Sequence, residues 1–227
     1  MTEHTRKMLP SAVIFDMDGV MVNSEPNHYQ ADTEVFASLG IQVTEEERKL
    51  FLGISASDMY DYLRERYHLK RSQQELLELD ICIRKQHLLP PHTHLAASPG
   101  LVDFLKRLQA QNLPMAVASS SVAALVQPLV HNLELGSFFV CLATGDQVRY
   151  AKPFPDIFLL AAGKLGVPPE TCVAIEDSPN GLKAAHAAGM KSIGYSPLRQ
   201  HKLEMADRVV SHFDEITPDM LSGIFKD

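Results

Sequence analysis

The sequence predicts an α/β protein, with a doubly wound, mostly parallel sheet and a small inserted α-helical domain. An apolar run over residues 12–15 ends in Asp16 and is typical of a buried parallel strand. Residues 23–94 then show helical periodicity without an intervening strand. From residue 99 onwards helical and strand patterns alternate, which is how βα units build a parallel sheet.

The segment 23–94 contains four predicted helices. The first covers residues 24–39, and its stripe at helical spacing is Tyr29, Thr33, Phe36 and Leu39. Thr44 and Glu47 form a capping box that starts the second helix, which ends near Gly53. A third helix follows from the stripe Met59, Tyr62, Leu63 and Tyr67. The fourth starts after Ser72 and is broken by two prolines at 90 and 91. Four such helices predict a small bundle.

The remaining chain predicts the α/β core. Strands are expected at 115–118, 138–143, 172–175, 191–195 and 208–210, with helices at 101–108, 122–133, 156–165 and 179–188 between them. We therefore predict residues 1–22 and 95–227 as the catalytic core, and residues 23–94 as a helical cap domain inserted after the first strand.

Composition limits the possible functions. The chain has 227 residues, enough for one large domain with an insertion, and a net charge of −7 without a basic block. Nucleic acid is therefore not an expected partner. We also expect no membrane association, since no apolar run approaches the ~18–20 residues that a transmembrane helix needs. The three cysteines are odd in number and far apart, which favours reduced thiols in a cytoplasmic protein. We expect a monomer, because no helical stripe lacks a partner.

Two aspartates follow the first strand and are the first candidates for chemistry. Ligands of open α/β sheets bind outside the carboxyl ends of the strands, where Asp16 lies. Asp16 could act as a nucleophile, because a carboxylate can form an acyl-phosphate. Asp18 could protonate a leaving oxygen and later deprotonate water, and Gly19 permits a sharp turn after the pair. The alternative is a solvated surface turn.

Three further polar clusters follow predicted strands. Ser119, Ser120 and Ser121 enter a helix, where hydroxyls and free backbone N–H groups can bind an anion; a simple serine-rich turn is the alternative. Lys152 lies in a proline-flanked loop and would place a positive charge against a phosphoryl group, unless it is merely solvated. Glu176 and Asp177 could supply the oxygen ligands that Mg²⁺ prefers, or could instead cap the next helix.

Together these four ordered motifs resemble those of the haloacid dehalogenase superfamily. The aspartate two residues after the first, here Asp18, resembles the phosphoryl-transfer members rather than the dehalogenases. The resemblance implies a nucleophile at Asp16, an acid/base at Asp18, and Lys152 as the charge that neutralises nucleophile and phosphate. It further implies Mg²⁺ held by Asp16, Asp18 (through its backbone carbonyl) and Asp177, with Glu176 close by. The phosphate-binding residues implied in this way are Gly19, Ser119, Ser120 and Asn180.

The insertion resembles the cap of the β-phosphoglucomutase-like branch of that superfamily. His28 matches a cap histidine near the acid/base in mutases of this branch, although a lone histidine on an amphipathic helix is often only exposed. The segment around Gly53 resembles the substrate-specificity loop of the branch. Where mutases carry an arginine after the serine of that loop, this chain has Ala56. Arg84 and Lys85 remain as candidate cap cations, or as part of a solvated helix face.

The resulting prediction is a Mg²⁺-dependent phosphatase. Its substrate would be a small phosphorylated metabolite, a sugar phosphate or a nucleotide-related monophosphate, cleaved through an aspartyl-phosphate intermediate. Two alternatives remain open. One is a phosphosugar mutase of the β-phosphoglucomutase type, which Ala56 disfavours. The other is a non-catalytic binding module built on the same fold.

Overall fold

The protein is built around a six-stranded parallel sheet. A computed structural model describes residues 9–51, 54–198 and 203–225. The strands are β1 (Ala12–Phe15), β2 (Met115–Ser119), β3 (Cys141–Thr144), β4 (Cys172–Glu176), β5 (Lys191–Tyr195) and β6 (Arg208–Val210). Their order in the sheet is β3-β2-β1-β4-β5-β6, and every described pair is parallel. The predicted doubly wound α/β fold is confirmed.

Helices cover both faces of this sheet. The helices of the core are α5 (Leu101–Ala110), α6 (Ala123–Asn132), α7 (Asp156–Leu165), α8 (Pro179–Ala187) and α9 (Pro218–Gly223), and those of the insertion are α1 (Glu25–Ser38), α2 (Glu45–Leu50), α3 (Ala56–Tyr67) and α4 (Gln73–Leu88). Successive residues of β1 alternate between two apolar layers, with Val13 and Phe15 against α5, α6 and α9. Ala12 and Ile14 face α7 and α8. Burial on both faces explains why β1 is apolar throughout.

The four inserted helices share an apolar core of their own. Tyr60, Leu63 and Leu76 are fully buried in it, together with Ala31 and Val35 of α1. The capping boxes of α2 and α4 form as predicted. The predicted face of α1 is partly wrong, because the buried residues are Ala31, Val35 and Phe36, while Tyr29 and Thr33 point to solvent.

Two features of the core differ from the sequence prediction. The strand expected at 138–143 begins only at Cys141, because residues 136–138 form a 3₁₀ turn. Helix α9 was not predicted; Thr217 caps it and Leu221 buries against the core. Its six residues are too few for a periodic signal to stand out. Within the described residues, no helix is both long and apolar enough to span a membrane.

Candidate active site

Strand order explains why the polar clusters meet. β1 lies between β2 and β4, and all three strands run in the same direction. Their carboxyl ends therefore share one edge of the sheet, with Asp16 directly after β1, Ser119 ending β2 and Glu176 ending β4. The backbone N–H of Asp16 donates to the carbonyl of Ile175 at 2.9 Å, which continues the sheet pairing as far as the aspartate.

Lys152 connects two carboxylates from different strands. Its Nζ lies 2.5 Å from Oδ1 of Asp16 and 2.6 Å from Oε1 of Glu176, and also donates to the carbonyl of Ala118 at 3.1 Å. All three charged residues are buried. Burial lowers the pKa of Lys152, but the two carboxylates outweigh it and the pKa is raised. Lys152 is therefore a fixed cation in the site.

Glu176 organises the start of α8. Its Oε2 accepts hydrogen bonds from the backbone N–H groups of Asp177 at 3.0 Å and Ser178 at 3.1 Å, and from the Ser178 hydroxyl at 3.0 Å. The position of Gly181 leaves room for this carboxylate, since a Cβ on Gly181 would lie 1.8 Å from Oε1 of Glu176. Glu176 thus orients both Lys152 and the first turn of α8.

Replacement of Gly181 by alanine is expected to destabilise the protein by about 1–3 kcal/mol, because the new methyl group would overlap the Glu176 carboxylate. In an unobstructed helix the same change stabilises by up to about 1 kcal/mol. Gly163 in α7 is the matched control, since a Cβ there would meet no atom within 4 Å. Urea unfolding of both variants tests this. Equal stabilisation of Gly181→Ala and Gly163→Ala would contradict the proposed clash.

Three carboxylates form the candidate metal centre. Asp16, Glu176 and Asp177 each offer an oxygen, and these oxygens lie within 4.8 Å of one another. Burial and the neighbouring carboxylates raise the pKa of Asp177 to about 7. Burial, only partly opposed by Lys152, also raises the pKa of Asp16. Three carboxylates, two of them buried and one partly buried, against one lysine leave excess negative charge, so this hard-oxygen donor set fits a divalent cation.

Gly19 not only forms a turn but also lies against one of the three clustered carboxylates, that of Asp177. It has a φ of +82°, and a Cβ there would lie 1.8 Å from Oδ2 of Asp177. Glycine therefore serves both the left-handed backbone and the close approach of Asp177. Because Glu176 uses both of its oxygens in hydrogen bonds, Asp16 and Asp177 are the carboxylates best able to accept further ligands.

Asp18 accepts hydrogen bonds from both the core and the cap. Its Oδ1 lies 2.5 Å from the hydroxyl of Ser24 and 3.0 Å from Nε2 of His28, and its Oδ2 lies 3.1 Å from the hydroxyl of Ser121. Burial raises the pKa of Asp18, but His28 and the hydroxyl donors outweigh burial and lower the pKa to about 2. In this arrangement Asp18 is a carboxylate, the form that can accept a proton.

A buried network in the cap holds His28. Nδ1 of His28 lies 3.0 Å from Nη1 of Arg84. Arg84 also donates to Asp80 at 2.7 Å and to Asp32 at 2.5 Å, and the Tyr60 hydroxyl donates to Asp80 at 2.7 Å. Arg84, a candidate cap cation, thus contacts Asp18 through His28.

The remaining residues that the sequence predicts for phosphate or substrate binding do not all lie at this site. Ser119 is buried and its hydroxyl accepts the N–H of Ser121 at 3.1 Å, whereas Ser120 is exposed at the cavity described below. Asn180 is the second residue of α8. Lys85 lines a separate cavity beside Cys82 and two prolines, away from this site. Gly53 lies outside the described residues.

A cavity of about 260 Å³ opens between the inserted helices and the end of β2. On the core side it is bounded by Ser120 and Ser121, and on the cap side by His28, Ala56 and Arg48. Ser121 and His28 both contact Asp18, so the cavity lies next to that aspartate. It is large enough for a small metabolite and too small for a macromolecule.

Two contacts of Asp18 were missed by the sequence analysis. Ser24 precedes α1 as an N-cap residue, but its hydroxyl makes no capping bond and donates to Asp18 instead. Ser121 belongs to the predicted serine cluster, yet its role is to contact Asp18. A serine six residues after Asp18 is not distinctive by itself, and only the turn back onto β1 brings the two side chains together.

Known proteins resemble this chain over most of its length. Hexitol phosphatase B of Escherichia coli (strain K12) is 35% identical over 218 residues, which cover 93% of this chain and 96% of that protein. Fructose-1-phosphate phosphatase YqaB of the same strain is 31% identical over 191 residues, covering 81% and 95%. The crystal structure of CbbY from Rhodobacter sphaeroides in complex with phosphate has a TM-score of 0.79 at 29% identity, covering 91% and 96%.

A family match covers most of the chain. Residues 13–195 match the haloacid dehalogenase-like hydrolases, a range that includes β1 through β5 and the inserted helices. The matched range contains all four clusters, from Asp16 to Asp177. The chain therefore belongs to the haloacid dehalogenase-like hydrolase family.

Proposed function

We propose that this protein is a Mg²⁺-dependent phosphatase whose substrate is the monophosphate of a small hydroxylated metabolite, a sugar phosphate or a nucleotide-related compound. The observation that supports this proposal most strongly is that the two aspartates lie in different environments. Asp16 contacts Lys152 at the carboxylate cluster, whereas Asp18 contacts His28 of the proposed cap, next to the cavity. Two carboxylates held this way can take different roles in one reaction. The protein is a phosphoric monoester hydrolase of its family.

In the proposed reaction Asp16 attacks the phosphorus atom and becomes an aspartyl-phosphate. Lys152 holds the attacking carboxylate in place and offsets charge on the phosphoryl oxygens. Asp18, a carboxylate before substrate binds, must first take up a proton; it then transfers that proton to the leaving oxygen and, in the second step, accepts one from the water that attacks the intermediate. Ser119, Ser120 and Asn180 are proposed to bind the phosphoryl oxygens, as are backbone N–H groups at the end of β2.

Mg²⁺ would be held by Asp16 and Asp177, with Glu176 close by and the backbone carbonyl of Asp18 as a further ligand. When bound, the ion neutralises phosphoryl charge and orients the transferred group. The oxygen-only donor set supports this choice, since Mg²⁺ prefers such ligands and keeps several waters. Gly19 supports this assignment because, without a side chain, it lets the Asp177 carboxylate lie close to the backbone that follows Asp18.

Residues 23–94 are proposed to act as a cap domain on a core of residues 1–22 and 95–227. The separate apolar core of the inserted helices supports this division. The 260 Å³ cavity between cap and core supports a small-molecule substrate rather than nucleic acid. We further propose a monomeric protein in a reducing, cytoplasmic environment, which the three free cysteines support.

Hydrolysis is preferred over the mutase reaction because the methyl group of Ala56 lines the cavity where mutases of the branch carry an arginine. A mutase must hold a second phosphate, and a methyl group offers that phosphate no charge or hydrogen bond. A binding module without catalysis would need neither a buried lysine on Asp16 nor a polar network on Asp18.

Phosphate release from a panel of sugar, polyol and nucleoside monophosphates tests this function directly. With Mg²⁺ we expect turnover of at least one hydroxylated monophosphate and of p-nitrophenyl phosphate, and with EDTA we expect both to stop. β-Glucose 1-phosphate with a bisphosphate primer should yield free phosphate rather than an isomerised product. Absence of metal-dependent release from every compound would refute the proposal.

A further inference from the structure

We infer that Arg48 is a specificity-determining residue that binds hydroxyl oxygens of the leaving group, at the end of the substrate remote from phosphorus. This inference rests on the proposed phosphatase function. It assigns a role in the cap to a residue that none of the four motifs contains.

Arg48 is a largely buried cation, and two of its nitrogen atoms are buried without a hydrogen-bond acceptor among the described residues. Its side chain is 15% exposed, and Nη2 donates to the hydroxyl of Thr33 at 3.0 Å. Nε and Nη1 are buried, and no acceptor bonds to them among the described residues. The carboxylate of Glu45 lies 3.7 Å from Nε and is largely exposed to solvent. Buried donors without acceptors are costly, so their presence points to a ligand that supplies the missing oxygens.

Two aromatic rings hold this guanidinium in place. Its carbon lies 4.5 Å from the centre of the Tyr29 ring and 4.9 Å from that of Phe36. These two ring contacts restrict the orientation of the Arg48 guanidinium before any ligand binds. Less side-chain entropy is then lost when a ligand oxygen is bound.

The position of Arg48 relates it to the reaction. Arg48 lines the 260 Å³ cavity, as do Ser121 and His28, the two residues that contact Asp18. A leaving group released at Asp18 therefore extends into a cavity that Arg48 bounds. Arg48 also borders a second cavity, which Asp32 and Tyr29 line as well.

Charge balance indicates a neutral, hydroxylated leaving group rather than a second anion. The cap wall of the cavity presents two arginines, 48 and 84, and two aspartates, 32 and 80. Asp32 and Asp80 pair with Arg84 but would still repel a second phosphate or a carboxylate. A wall that presents both donors and acceptors suits a chain of hydroxyl groups, each of which donates and accepts.

Two substrates with the same six-carbon chain test this inference: sorbitol 6-phosphate, which carries hydroxyls, and n-hexyl phosphate, which does not. Arg48→Met keeps an apolar stem between the rings but removes the donors. We expect kcat/KM for sorbitol 6-phosphate to fall about 10- to 100-fold, mostly through KM, because an ionic hydrogen bond is lost. For n-hexyl phosphate we expect a change of less than about twofold.

Arg66→Met is the matched control. Arg66 also lies on the cap and over an aromatic ring, 5.4 Å from the centre of Tyr67, but it is 60% exposed and is not among the described residues that line the two cavities. We expect both substrates to be unaffected. Arg48→Lys, which keeps the charge, covers the case in which Arg48→Met does not fold, and should again lose more activity on sorbitol 6-phosphate.

Equal losses on the two substrates would overturn the inference, since Arg48 would then act through cap packing. Wild-type preference for n-hexyl phosphate, or for a bisphosphate over sorbitol 6-phosphate, would also overturn it. Failure of the proposed function is distinguishable, because the wild-type protein would then release phosphate from neither compound.

Discussion

Asp16→Asn is expected to abolish turnover, whereas Asp18→Asn is expected to slow it by about 10²–10⁴-fold, the usual loss for a general acid/base. Asp16 is both the proposed nucleophile and a candidate metal ligand, and it contacts Lys152. Among the described residues, the Asp18 carboxylate hydrogen-bonds to Ser24, His28 and Ser121 and is not part of the metal cluster, so its replacement should leave Mg²⁺ binding largely intact.

The two variants can be separated by the intermediate that they accumulate. A good leaving group such as p-nitrophenol needs little protonation, so Asp18→Asn should retain more of the first step than of the second. Mass spectrometry of acid-quenched Asp18→Asn protein should then detect a phosphoryl group on Asp16. Calorimetric titration with Mg²⁺ gives the metal affinity of each variant. An active Asp16→Asn protein, or loss of metal by Asp18→Asn, would show that the roles are assigned wrongly.

Lys152→Met is expected to impair both stability and activity. Methionine fills a similar volume but leaves Asp16 and Glu176 buried without the cation that contacts both. Breaking a buried ion pair in this way costs about 3–5 kcal/mol. We expect this loss of unfolding free energy in EDTA, with partial recovery in Mg²⁺, because the ion supplies positive charge to the same carboxylates. Loss of the charge that faces the phosphoryl group should lower kcat by about 10²–10³.

The stability loss should also depend on pH. Burial already raises the pKa of Asp16, and loss of Lys152, which lowers it, would raise this pKa further above the value in the unfolded chain. A carboxyl group with a raised pKa binds its proton more tightly when folded, so folding is favoured as the pH falls. Lys152→Met should therefore be less destabilised at pH 5 than at pH 8. Thermal unfolding in EDTA at the two pH values measures the difference.

Lys164→Met is the control for this experiment. Lys164 donates to a backbone carbonyl and to Gln147 on an exposed surface, so its loss should change stability by less than about 1 kcal/mol. If Lys152→Met matched Lys164→Met in EDTA, Lys152 would not be compensating the buried carboxylates.

Local patterns in the sequence determined the fold class. The apolar run of β1, the alternation after residue 99 and the capping boxes at Thr44 and Ser72 depend on neighbours in sequence, so they can be read before folding. The same patterns predict Asp16, Ser119 and Glu176 at strand ends, where the structure has them. The exposed Tyr29 was misassigned because spacing alone does not say which side of a helix faces its neighbours.

Only the tertiary structure decided which side chains contact one another. The donation of Lys152 to both Asp16 and Glu176 spans 136 residues in one contact and 24 in the other, and no local pattern carries that information. The same holds for Gly181 beside Glu176 and for Ser24 on Asp18. No motif in the sequence distinguishes Arg48, and its unused donors exist because folding buries Nε and Nη1 while the guanidinium packs on Tyr29 and Phe36. Residue types set the chemistry that is available, whereas burial and proximity, which arise only on folding, decide which of those groups are charged, paired or free to bind.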